Sequence, residues 1–268
     1  MPNNTYYSDV KVCKKPLKIR IKNFFKFFLV MAIFVGCFFV SKYMSEALAV
    51  GNLGDYIVYG GTDYKVKASQ MYAVTLGEYD SIKEAEAVAY GSTIQGASGY
   101  VWVDNKYYVI GNIYSSQSDA TKVLDNLKNT NYKVAIKVID FPSLSINFDD
   151  YESKDMSVIN KDISIFDKVY SVLYEYSIMY DKKEINNLAI SSNLSSVRGD
   201  LRGMISQTQL LLSTPNSSLQ TIQSALLKLD EVLDKTIIKT IDNTATNISL
   251  KNAIAQTVRI KYDLYNSI

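Results

Sequence analysis

The sequence predicts an α+β chain in three parts: an N-terminal transmembrane helix, a small β-α-β-β-α-β unit of the split-βαβ kind, and a C-terminal helical bundle. Three observations predict it. A basic head precedes an unbroken apolar run. Residues 70–141 pass from strand-like alternation to helical spacing twice over. Beyond residue 157 the apolar side chains recur at helical spacing to the end.

The membrane segment is read first because it sets the compartment. Phe27 to Val40 is apolar throughout, and counting back across Lys26 to Phe24 gives a stretch near the lower limit of about 17–25 residues for a spanning helix. The formal net charge of +2 hides a division. Residues 1–42 carry eight basic side chains against Asp9, a charge of +7, while the remaining 21 basic and 26 acidic residues give −5. Lys26 and Lys42 can snorkel to the two interfaces. Because the positive charge lies on the N-terminal side, residues 1–23 are expected in the cytoplasm, residues 24–42 in the membrane and the body outside it. Ala47-Leu48-Ala49 also fits a small-residue cleavage site, which leaves a removable leader as the alternative. Cys13 and Cys37 both precede the body, so the body has no thiol for a disulfide or a nucleophile.

Residues 43–69, with Gly51, Gly54, Gly60 and Gly61, read as a linker, with a short strand possible at Asp55–Tyr59. Met71–Gly77 alternates as a first strand. Ser81 and Glu84 form a capping-box signature ahead of Ala85, Val88 and Ala89. Tyr100–Val103 and Tyr107–Ile110 are β-rich, and Asp104-Asn105 between them suits a two-residue hairpin turn. Ser116 and Asp119 repeat the cap before Ala120, Val123 and Leu127, and Val134–Ile139 supplies a fourth strand. Tyr79, Ser81, Glu84, Ala85 and Val88 match Tyr114, Ser116, Asp119, Ala120 and Val123 at an offset of 35, whereas Gly77 and Gly111 match at 34. The duplication predicts two βαβ-like halves with both helices on one side of the sheet. Residues 142–157 read as a second linker and 158–268 as three or four antiparallel helices, broken at Thr214-Pro215-Asn216.

Pairing across a two-residue turn sets Trp102 opposite Tyr107 and Tyr100 opposite Val109. One face then carries Val74, Leu76, Val101, Val103, Tyr108 and Ile110, the aliphatic side expected beneath the helices. The other carries Ala73, Thr75, Tyr100, Trp102, Tyr107 and Val109. An open sheet face with the only Trp and two Tyr reads as a binding surface, since such rings stack on sugars or bases. Two alternatives stay open: the bundle covers this face, or a one-residue slip exchanges the two faces.

Tyr72-Ala-Val-Thr-Leu-Gly-Glu-Tyr79, the capped helix after it, and Lys106-Tyr-Tyr-Val-Ile-Gly-Asn-Ile-Tyr114 together resemble a SPOR domain, over residues 70–141. The resemblance implies a peptidoglycan-binding module that recognises septal glycan strands stripped of their stem peptides. Thr75 and Glu78 stand where the family carries a glutamine and a serine on the first strand. Trp102 and Tyr107, with Tyr100 on the same expected face, would supply aromatic contacts, and Ile136 stands at the fourth-strand contact. The order of anchor, linker, SPOR-like domain and C-terminal region is similar to that of the stage II sporulation protein B family, which implies a role in sporulation or cell division at the septum.

Composition excludes several classes. Without His there is no Ser-His-Asp triad, no Cys-His pair and no His metal ligand. Glu84 and Glu86 are accounted for by a cap and a solvated helix face, and nothing marks a carboxylate pair for glycan cleavage, so no enzyme is expected, and no cofactor or metal. A net acidic body without a basic aromatic strand motif argues against nucleic acid. The expected partners are peptidoglycan glycan strands and the cell membrane, with septal membrane proteins or self-association through the bundle. The alternative function is a septal scaffold that acts mainly through that bundle.

Overall fold

In the computed structural model the described residues form seven strands and six helices, in two small antiparallel sheets and a helical bundle. The strands are β1 (Tyr56–Val58), β2 (Asp63–Val66), β3 (Ser69–Tyr79), β4 (Tyr100–Val103), β5 (Tyr107–Tyr114), β6 (Ala135–Phe141) and β7 (Leu144–Asn147). The helices are α1 (Ile82–Thr93), α2 (Gln117–Leu127), α3 (Ser153–Asp181), α4 (Asn187–Leu211), α5 (Ser217–Ile241) and α6 (Thr246–Ser267). Residues 56–58, 63–148, 151, 153–213, 216–243 and 245–268 are described, and they fall in one unit, Leu53–Ile268. The basic head and the expected transmembrane segment 24–42 lie outside them. Among the described residues no helix is long and apolar enough to cross a membrane.

The larger sheet has the order β4-β5-β3-β6 with every neighbouring pair antiparallel. With α1 after β3 and α2 after β5, this is the split-βαβ connectivity that the duplication predicts. Two irregularities sit in the β3–β5 ladder, one between Val74 and Thr75 and one between Thr75 and Gly77. Gly111 and Leu76 are the residues left without a partner there, so an extra residue on each strand offsets the other and the register recovers. A Cβ on Gly111 would meet the Val74 carbonyl oxygen at 3.2 Å, which keeps that position glycine. Ser116 caps α2 by accepting the Asp119 N–H, whereas the Ser81 hydroxyl makes no such bond at α1 and only its carbonyl enters the helix.

The hairpin differs from expectation. Val103 pairs with Tyr107, so the loop is Asp104-Asn105-Lys106, closed by the Asp104 N–H on the Lys106 carbonyl at 3.0 Å. Trp102 therefore stands opposite Tyr108, and Tyr100 opposite Ile110. One added loop residue sends Tyr107 and Val109 to the opposite face from Trp102.

The segments read as linkers also build structure. β2 pairs with β1 and with β7, giving a second sheet of order β1-β2-β7. Tyr64 from β2 is wholly buried and its hydroxyl donates to Asn160 Oδ1 at 3.3 Å. Leu144, Ile146, Phe148 and Tyr151 join the same core, so the stretches on both sides of the split-βαβ unit fold against the bundle.

The bundle has four helices, each packed on the next, with α6 also packed on α3. Ile163, Phe166, Leu173, Leu194, Leu201, Leu226, Leu233 and Val258 fill its centre at helical spacing. Asn186 and Asn216 cap α4 and α5 by accepting the N–H groups of Ala189 and Leu219. The many hydroxyl residues are accommodated by bonding back one turn, as Thr208, Thr236 and Thr240 do to the carbonyls of Met204, Val232 and Thr236.

Candidate functional site

The expected site was an open sheet face. The structure covers it. The helices α1 and α2 take the side that carries Val74, Leu76, Val101, Tyr107 and Val109, packed on Ala85, Ala89 and Ala120. The bundle takes the other side, with Met71, Ala73, Trp102, Ile110, Ile113, Ile139 and Phe141 in one core with its helices. Trp102 is 1% exposed. The Tyr262 ring meets it edge-on at 5.4 Å and the Arg259 guanidinium lies 5.0 Å from its ring centre. Polar contacts fasten α6 along the sheet margin: Lys251 Nζ donates to the Gly96 carbonyl at 2.9 Å, Asn252 Nδ2 to the Ser98 carbonyl at 2.9 Å, and Arg259 Nη1 to the Val103 carbonyl. From α3, the Tyr170 hydroxyl donates to the Ile113 carbonyl at 3.2 Å.

The six sequence-predicted site residues do not form one surface. Thr75 is buried and its hydroxyl donates to the Ala135 carbonyl at 3.2 Å. Tyr100 and Trp102 lie beneath α6, and burial pushes the Tyr100 phenol up, against the opposing pull of Arg259. Tyr107 and Ile136 are on the helix-covered face. Glu78 alone is exposed, beside Tyr108 at the rim, with the Lys106 ammonium 2.6 Å away. Hydrogen bonding to Glu78 holds the Lys106 amine above its usual range.

Open space lies instead along the seam where the β3–β6 end of the sheet meets α6. A cavity of about 760 Å³ is lined by Ser69, Gln70, Tyr72, Ser115, Asp140, Phe141, Tyr262 and Asn266. A smaller one of about 230 Å³ is lined by Trp102, Asp104, Lys137, Val138, Ile139, Asp140 and Tyr262. Asp140 and Tyr262 line both. Beside the larger cavity, on the strand face that also carries Val74, two exposed bonds link the strands: the Tyr72 hydroxyl donates to Gln70 Oε1 at 3.1 Å, and Gln70 Nε2 donates to Asp140 Oδ1 at 2.8 Å. In the smaller part Lys137 Nζ is paired with Asp104 at 3.0 Å and sits 4.2 Å from the centre of the Tyr108 ring. That hydrogen bond holds the Asp104 carboxyl below the usual carboxylate range.

None of the groove residues other than Trp102 was singled out from the sequence. The available signal was Gln70 and Tyr72 on one face of the first strand, opposite Asp140 and Val138 of the fourth. Tyr262 carried no signal, because helical periodicity does not say which element a residue meets. Among the described residues no group of three Asp, Glu, Cys or His is placed to hold a metal ion. Comparison of the chain with family models, with curated proteins and with solved structures finds no match.

Proposed function

We propose that this chain is a membrane-anchored, extracytoplasmic and non-catalytic protein that binds septal peptidoglycan glycan strands in sporulation or cell division. The observation that supports it is the β4-β5-β3-β6 sheet with α1 and α2 on one side, the connectivity of the SPOR-like fold that residues 70–141 resemble. The anchor would be residues 24–42, with the basic head in the cytoplasm. The covered sheet face means that contact with glycan has to come from another surface or from a displaced α6. The test is pelleting of the full-length, detergent-solubilised protein with sacculi. Stronger pelleting after an amidase has removed the stem peptides supports the reading, and equal pelleting with intact sacculi, or none with either, refutes it.

A second reading is favoured by the burial of Trp102. In it the split-βαβ unit serves as a structural platform for the bundle, and the protein is a septal scaffold. Substitution on the rim or in the groove would then leave localisation of a fluorescent fusion unchanged, whereas substitutions on the outer bundle surface would disperse it.

A further inference from the structure

We infer that the outer face of α4 is a self-association surface, on which a second copy of this chain packs its own α4 in the antiparallel direction. The inference stands apart from glycan binding and gives the bundle a partner of its own kind. Its starting point is a pair of glycines that nothing within the chain explains. Gly199 and Gly203 lie in the interior of α4, where glycine is the poorest helix former after proline. A Cβ on either would meet no atom within 4 Å. Glycine there serves a close approach from outside the chain, since small side chains let two helix backbones come together.

The residues around Gly199 repeat in mirror order. Ser195 and Gly203 stand four positions on either side, Ser192 and Ser206 seven, and Leu188 and Leu210 eleven. At about 100° per residue all fall within about 40° of one line, and all are exposed. Leu188 and Leu210, 78% and 76% exposed, close the two ends. A two-fold axis at Gly199 therefore sets Leu188 against Leu210 of the partner subunit, each serine or glycine against a small residue, and Gly199 against itself. This is the self-complementarity that an isologous dimer requires, over a contact about 33 Å long. The alternation of three- and four-residue steps is that of a paired helix seam.

Neighbouring groups favour a second copy over other occupants. On α5, Leu227, Ile238 and Ile241 are at least half exposed and lie within a quarter-turn of Asp230, which meets Arg198 of α4. They widen the apolar surface beside the stripe. Ser195 and Ser206 donate their hydroxyls to the Ser191 and Arg202 carbonyls at 2.7 and 3.0 Å, so covering them leaves no donor unmet. Arg198 also reaches Asp234, which fixes the level of that carboxylate along α4. The two-fold then carries Asp234 of the partner subunit to within about one turn of Arg202, and both side chains are open to solvent. A lipid surface is disfavoured, because the charges that flank the stripe, Asp200 and Arg202, cancel.

Sedimentation of the full-length protein in detergent measures the association. The wild type should be a dimer, and Gly199→Leu/Gly203→Leu should raise its dissociation constant about tenfold or more. Leucine is the better helix former and has room on the isolated chain, so the thermal midpoint of the variant monomer should not fall. Oxidative cross-linking reads the direction, in a Cys13→Ser/Cys37→Ser background that leaves no other thiol. Gly199→Cys should cross-link to itself. Leu188→Cys and Leu210→Cys chains should cross-link when mixed and neither alone, because the antiparallel pair keeps like ends about 33 Å apart. A wild type that is monomeric up to about 0.1 mM, a dimer that the glycine variant leaves unchanged, or Leu188→Cys chains that join one another would each overturn the inference. Sacculus pelleting is a separate measurement, so the glycan reading stands or falls without it.

Discussion

The two faces of the larger sheet are buried by different means. On one, α1 and α2 lie down on the strands that precede them, and the contacts are made by small side chains, Ala85, Ala89 and Ala120, against Val74, Leu76 and Val109. This is local, apolar packing that needs little beyond the β-α order. On the other, α6 arrives from far along the chain and is held by rings and charges: Tyr262 on Trp102, Arg259 over that ring, and Lys251 and Asn252 on backbone carbonyls. The first face follows from the repeat. The second is an interface between two parts of one chain, with aromatic rings and one Arg, Arg259, of the kind found where proteins meet.

The largest way to break that contrast is Trp102→Ala. On an open face the change would cost well under about 1 kcal/mol, whereas loss of a buried Trp costs about 3–5 kcal/mol. The expected result is a lower urea midpoint at unchanged slope, with midpoint shift times slope equal to that loss, and a midpoint within experimental error of wild type would mean that α6 does not rest there.

Next comes Asp162, fully buried in α3 with Oδ1 unpartnered. Burial pushes its carboxyl up to about 7, only partly offset by the hydrogen bond with Thr208. Thr208 has one hydroxyl proton and lies within reach of both Asp162 Oδ2, at 2.6 Å, and the Met204 carbonyl, at 2.9 Å. Both contacts are satisfied when Asp162 is protonated and donates to Thr208, which then donates to Met204. The folded carboxyl thus binds its proton more tightly than the unfolded one, so stability is fullest below the unfolded value near 4, declines as pH rises to about 7, and is level above it. The loss is on the order of 4 kcal/mol. Asp162→Asn should remove most of that decline between pH 5 and pH 8. If the bundle loosens over that range, hydrogen exchange should quicken at β4 beneath α6 and not at α1, which sharpens the difference between the faces. A variant whose pH profile matches wild type would show the carboxyl to be ionised when folded.

Smaller still is Arg259→Ala, which removes the stack on Trp102 and the bond to the Val103 carbonyl. Thermal or urea unfolding should register a loss of about 1–2 kcal/mol. The smallest effect belongs to Glu78→Gln at the exposed rim, where breaking the Lys106 pair should leave the unfolding midpoint within experimental error of wild type. A larger loss there would mean that the rim, and not α6, anchors the hairpin.

Much of the scaffold was legible because it is written in periodicity. Gly77 and Gly111, Ser116 and Asp119, and the alternation of β3 gave the β-α-β-β-α-β order, and the stripes through Leu194, Leu201, Leu226 and Leu233 gave the bundle. The site was not legible, for two physical reasons. The Asp104-Asn105 pair fits a two-residue turn by composition, but Lys106 joins the loop, with its ammonium beside Glu78, and Tyr107 pairs with Val103 in place of Trp102. That single residue exchanges Tyr107 for Tyr108 beside Trp102. The second reason is that patterning tells which side of a helix is apolar but not what it meets. Tyr262 and Arg259, on the last helix, are the cover of the sheet. In the same way β2 and β7 are too short and too polar at alternate positions to stand out from a linker, until Tyr64 and Ile146 find the bundle core.

The distance along the chain between the sheet and its cover sets a schedule for biosynthesis. Asn252 reaches back 154 positions to Ser98. At about 5–20 residues per second, the cover for β4 leaves the ribosome some 8–30 s after the strand itself. For that interval Trp102 and Ile110 are without their lid while the opposite face can already close on α1 and α2. The nascent chain therefore passes through a half-covered sheet whose second face, from Met71 and Trp102 to Phe141, is open to the solvent.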